Sequence, residues 1–180
     1  MGPLTYSLCK KPVLGLIMYV TSACAFPPLF WAEPLPLQQA SASFVKEFDA
    51  PVSKLYFLLL HFQFASTVSS QTDEVVGSLY NGNCNRDYAD IPESQRAGLG
   101  RKIPIHVLIR EQETGTIIID RVFNSLCKTS AAASGLEKTR TVGQIYLATG
   151  KYVAEIHNLA SQAGLDDVKT TVSLVSGNGK

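Results

Sequence analysis

Between residues 44 and 174 apolar side chains return at every second position, and that period restricts the chain to a fold built from β-strands. The clearest case is Tyr56, Leu58, Leu60, Phe62 and Phe64, which share one face of a strand. Leu55, Phe57 and Leu59 share the other, before His61 and Gln63 turn polar. A strand apolar on both faces is expected to be central and covered on both sides. The stretch Phe44 to Phe48 alternates as well, and Pro51 separates the two. Further along, Ile103, Ile105, Val107 and Ile109 alternate with Pro104, His106, Leu108 and Arg110. Past the turn at Thr114-Gly115, the run Ile117 to Val122 returns as the second arm of a hairpin. Val142 to Leu147 and Tyr152 to Ile156 flank the tight turn Ala148-Thr149-Gly150. Val168, Thr170, Val172 and Leu174 form a last strand.

About seven short strands punctuated by Gly, Asn and Pro predict an all-β chain, an immunoglobulin-like two-sheet sandwich. One short helix is expected inside the long polar connection from Ser66 to Lys102. Thr72 would cap it, Asp73 and Glu74 would favour its first turn, and Gly82 would end it. The step Gly150-Lys151-Tyr152 has the spacing of a tyrosine corner, in which the Tyr152 hydroxyl bonds back to the backbone of the turn. The alternative is a plain hairpin with Tyr152 in its core. Ala154 stands where the inter-sheet cysteine of such a sandwich would follow.

The first twenty-five residues have the features of an export signal. Lys10 and Lys11 precede an apolar run from Val13 to Val20, and Ala23 and Ala25 supply the small-residue cleavage pattern. The run is short for a membrane span, and no later apolar stretch approaches the necessary length, so no transmembrane helix is expected in the mature chain. Cleavage after Ala25, cleavage after Ala32, or lipidation of Cys24 within Thr21-Ser22-Ala23-Cys24 all remain open; the last would leave a lipid anchor. The expected organisation is a signal peptide over 1–25, a Pro-rich tether over 26–40 containing the sole tryptophan, Trp31, and a β-sandwich domain over 41–180. Removal of the signal leaves roughly 140 to 155 residues, enough for one ordinary domain. It also leaves two of four cysteines, Cys84 and Cys127, and in an exported chain two cysteines are most simply one disulfide. Closing that loop would stabilise by about 4 kcal/mol on the chain-entropy account.

The segments Phe44-Val45, Tyr56 to Leu60, Ile103 to Val107, Val142 to Leu147 and Gly150 to Tyr152 together resemble the exported proteobacterial β-sandwich proteins grouped as domain of unknown function 5625. The resemblance implies an immunoglobulin-like fold in the periplasm or at the outer envelope. It supplies no catalytic residues.

Net charge is +1, and no basic run exceeds two residues, so the electrostatic footprint of a nucleic-acid-binding protein is missing. No nucleophile elbow or H-E-x-x-H motif occurs. His61, His106 and His157 would reach one metal only if their strands converged, and neither cysteine has a ligand-spaced partner. No catalytic residue, metal site or cofactor is therefore expected. The remaining candidate is a recognition surface on the long connection, where Tyr80, Arg86, Tyr88 and Arg96 supply the residue types that dominate binding hot spots. Equally, those tyrosines would fill a small apolar cluster beneath the loop. The expected function is an exported, non-catalytic envelope protein with a protein partner, in one version a periplasmic immunity or inhibitor protein. A carbohydrate- or lipid-binding accessory module is the alternative, and a small metal-dependent enzyme using the histidines is a third.

Overall fold

The computed structural model describes residues 27–78, 82–84 and 86–176. The export segment 1–25 with Cys24, and also Tyr80, lie outside the described residues. Nine strands are formed: β1 (Phe30–Pro34), β2 (Ser43–Ala50), β3 (Lys54–Gln63), β4 (Ile103–Glu111), β5 (Ile117–Ser125), β6 (Lys128–Ala131), β7 (Glu137–Leu147), β8 (Gly150–Asn158) and β9 (Lys169–Ser176). They pair antiparallel throughout, in a five-stranded sheet of order β1-β9-β3-β7-β6 and a four-stranded sheet of order β2-β8-β4-β5. The molecule is thus the all-β two-sheet sandwich expected, with the short edge strands β1 and β6 added to the alternating set. No helix of the described residues is long and apolar enough to cross a membrane.

The alternation fixes the core. Tyr56, Leu58, Leu60 and Phe62 on β3, with Phe64 just past its end, face Ile103, Ile105, Val107 and Ile109 on β4, and all are buried. Each such side chain contributes about 1.5–3 kcal/mol relative to exposure. The second face of β3 behaves differently from expectation. β3 is central, yet no third layer covers its outer face: Phe57 and Leu59 are half-buried and Leu55 is exposed.

The segment expected as a tether is also different. Phe30–Pro34 pairs with β9, and Phe30, Leu35 and Leu37 enter the core. Proline is compatible with this because an edge strand leaves one row of backbone groups unpaired. Trp31 is therefore held on the outer face of the five-stranded sheet, with its ring 5.0 Å from that of His61.

Two crossings between the sheets lie side by side. β2 leads into β3 and β7 into β8, and in each the two strands belong to different sheets. Ala148-Thr149-Gly150 is accordingly a corner, not a hairpin turn. The Tyr152 hydroxyl donates to the Ala148 carbonyl at 3.1 Å, and Tyr56 makes the matching bond to Val52 at 2.8 Å. The Thr149 amide donates to the Ser53 hydroxyl at 2.9 Å and links the two corners. Burial, with the Glu111 charge adding to it, pushes the Tyr152 phenol up and keeps it a donor.

The helix is placed earlier than expected. α1 spans Thr67–Thr72; Ser66 caps it, sharing a reciprocal capping box with Ser69. Thr72 ends rather than begins the helix. Asp73 is unavailable to its first turn because its carboxylate accepts the backbone N–H groups of Val75, Val76 and Gly77.

Candidate functional site

The long connection between β3 and β4 is fixed at its root by two cations that point inward from β7. Lys138, Arg140 and Val142 alternate on the core side of that strand, and Arg140 is fully buried. Its guanidinium donates to the carbonyls of Val76 (3.1 and 2.9 Å), Arg101 (2.7 Å), Ser125 (3.2 Å) and Val75. Five donor contacts thus tie both ends of the connection to β7 and to the end of β5. Burial pulls the guanidinium down to about 9, opposed by the Asp73 carboxylate, so it is still charged at neutral pH. Beside it, Lys138 Nζ is 2.9 Å from Asp73 Oδ2 in a buried ion pair. Asp73 serves both the turn and the lysine, and its placement sets the path of residues 73–77.

The far part of the connection is held by sulfur. Cys84 and Cys127 are joined, with Cα atoms 5.3 Å apart. Ile91, Leu99, Leu126 and Cys127 form a buried cluster beneath, and Cys84 and Tyr88 pack on it. The loop arginines are used internally. Arg96 donates to the Ile91 carbonyl at 2.7 Å and lies over the Tyr88 ring at 5.0 Å. Arg86 donates to the Asp90 carbonyl at 2.8 Å and to Asn83 Oδ1 at 3.1 Å. Of the recognition surface expected from the sequence, Arg86, Tyr88 and Arg96 are thus brought together. Each of the three is used within the loop itself.

Next to this loop lies an open cleft of about 720 Å³. Arg86, Tyr88 and Lys102 reach it from the connection, and residues 121–124 of β5 and 141–144 of β7 border it. Arg121 enters it with its guanidinium 4.1 Å above the Phe123 ring. Phe123 in turn rests on Gly143, where any Cβ would collide with the ring. Neither Arg121 nor Gly143 stands out in the sequence, although Asp120-Arg121 is the only charged pair in β5.

The histidines do not meet. His61 lies on the outer face of the five-stranded sheet, while His106 and His157 pair across β4 and β8 on the outer face of the other, with rings 5.8 Å apart. The core separates the two faces, so the three cannot share an ion. His106 Nε2 instead contacts Asp120 Oδ1 at 2.6 Å. Among the described residues no group of three or more His, Cys, Asp and Glu side chains is disposed to hold a metal.

Residues 32–176 match the family described as a domain of unknown function (DUF5625). The chain belongs to that family. Among solved structures, that of GEBA250068378 from Sulfurospirillum deleyianum is similar at a TM-score of 0.61 and 19% identity, covering 82% of this chain and 97% of its own. At that identity the likeness concerns the fold. No curated protein matches the chain. The DUF5625 match begins within β1 and ends with β9, so it takes in both sheets, the disulfide and the connection it ties.

Proposed function

We propose that this DUF5625 chain is an exported, non-catalytic binding protein of the cell envelope, in the periplasm or at the outer envelope, that acts through a protein partner. The observation that supports it best is the double anchoring of the 66–102 connection, by Arg140 at the root and by Cys84–Cys127 beyond. A loop held this firmly on a sandwich presents a preformed surface, which lowers the ordering cost of binding. A disulfide between loops fits an oxidising compartment, in agreement with the signal-like N-terminus. An immunity or inhibitor protein, blocking an enzyme or toxin that arrives in the same compartment, is the concrete version of this reading.

The alternative of a carbohydrate- or lipid-binding module has one observation in its favour. Trp31 and Tyr146, 58% and 63% exposed, lie on the uncovered face of the five-stranded sheet with Leu55 and Phe57. An apolar ligand or a sugar ring would stack there.

Fractionation and native purification of the full chain from its own cells test the main reading. It expects recovery from the envelope fraction, no free thiol at Cys84 or Cys127, and a second protein in stoichiometric amount. Cytoplasmic recovery with both thiols free, or a chain that is alone in every fraction but retained on polysaccharide or lipid, would overturn it.

A further inference from the structure

The cleft beside the disulfide is bordered chiefly by strand edges, with Phe57 on the outer face of β3 also reaching it. A face contributes alternate residues, whereas here four consecutive residues of β5 and four of β7 line the space. The topology explains why both edges are open. β5 ends the four-stranded sheet and pairs only with β4. β6 covers β7 only as far as the Lys128–Arg140 pair, so residues 141–147 have no strand on that side among the described residues. Free strand edges carry unpaired N–H and C=O groups and accept an added strand.

The charge of the cleft is equally one-sided. Arg86, Lys102 and Arg121 line it against a single acid, Asp87. Arg86 is occupied by Asn83 and Asp90, and Lys102 pairs loosely with Asp87 at 3.6 Å. Arg121 is exposed, lines the cleft and lies over Phe123, a contact that does not use up its N–H donors.

We propose that the cleft binds an extended segment of a partner protein, which adds a strand to the free edge of β5 and sets an acidic side chain on Arg121. The backbone pairing would supply register and the Arg121–carboxylate contact would supply selectivity. This rests on the reading above, that the chain works through a protein partner, and gives that partner a chemistry: an extended, acidic segment.

The test titrates the full chain with three capped peptides. One alternates Val and Glu, the second replaces Glu with Lys, and the third is the Val/Glu peptide N-methylated at alternate residues. The Val/Glu peptide is expected to bind about tenfold or more tighter than the Lys peptide, with amide shifts confined to residues 121–124 and the facing Cys84, Arg86, Asp87 and Tyr88. N-methylation is expected to abolish binding. Arg121→Glu should reverse the preference and Arg121→Gln should remove it; the neutral variant guards against loss of folding by the charge reversal. Equal binding of all three peptides, no binding of any, or a preference unchanged by Arg121→Gln would overturn the proposal. So would a concentration-dependent dimer of the unliganded chain dispersed by Arg121→Glu, which would assign the edge to a second copy. If the peptides fail while the native chain still carries a stoichiometric partner, the protein-binding reading stands and the cleft is excluded. If both fail, both are excluded.

Discussion

Gly100 and Arg140 are bound to each other by exclusion: a Cβ at residue 100 would coincide with Arg140 Nη2, so the guanidinium occupies the space that any other residue would fill. That fit joins the last turn of the connection to β7, next to the Arg101 carbonyl that Arg140 also holds. Gly100→Ala is therefore expected to destabilise by about 1–3 kcal/mol through overpacking. Arg140→Met removes the cation from five buried contacts and is expected to cost about 3–5 kcal/mol. Urea unfolding measures both, and a loss below about 1 kcal/mol for Arg140→Met would contradict the anchoring role.

The disulfide holds the far part of the same connection. Cys127→Ser is expected to lower stability by about 2–4 kcal/mol under oxidising conditions, a drop of several degrees in Tm. Adding reductant should reproduce the effect in the unaltered chain and leave the variant unchanged. Identical melting curves for the two proteins would contradict it.

The paired tyrosine corners make a smaller prediction. Tyr56→Phe and Tyr152→Phe each remove one hydroxyl donor from a carbonyl and are expected to cost about 1 kcal/mol apiece. Because Ser53 and Thr149 link the corners, the double variant should depart from additivity. Strict additivity in chemical denaturation would mean that the two crossings act independently.

Acid sensitivity is expected at His61. Burial beneath Trp31 holds its imidazole below the ordinary 6.5, with the nearby Glu137 carboxylate acting in the opposite direction. The unfolded chain then takes up a proton that the folded chain resists, so stability falls as pH drops through 6.5 towards the lower folded value. His61→Gln should lose less stability than the unaltered chain between roughly pH 7.5 and 5. Glu137→Gln should lose more, since it removes the charge that favours the imidazolium. Equal acid slopes for all three would contradict this account.

How far the sequence discloses this molecule depends on whether a segment's partners are near in sequence or follow a simple period. The inward row Tyr56 to Phe64 and the hairpin of β4 and β5 follow from alternation alone. The G-x-Y step points to Tyr152, and the structure places its hydroxyl on the corner carbonyl. By contrast, Phe30, Leu35 and Leu37 are hidden among prolines that read as a tether, because nothing local shows that β9 will pair with them. Lys138-Thr139-Arg140-Thr141 falls outside the strand expected over Val142 to Leu147, since the carbonyls that satisfy Arg140 belong to residues far away in the chain. Parity with the apolar Val142 was the one available signal that both cations face inward. Arg121 was obscured for the opposite reason: a charged residue on an exposed strand is ordinary until the edge beside it proves to be open.

On the proposal above, a partner engages the open edge of β5 beside the disulfide-tied loop. Hydrogen exchange on the full chain, purified with its bound partner and again after the partner is stripped away, tests it most directly. The partner is expected to slow exchange at residues 121–124 and at Cys84, Arg86, Asp87 and Tyr88, and to leave the outer face around Trp31 and Tyr146 unchanged. Protection at Trp31, Leu55 and Tyr146 with none along β5 would contradict it.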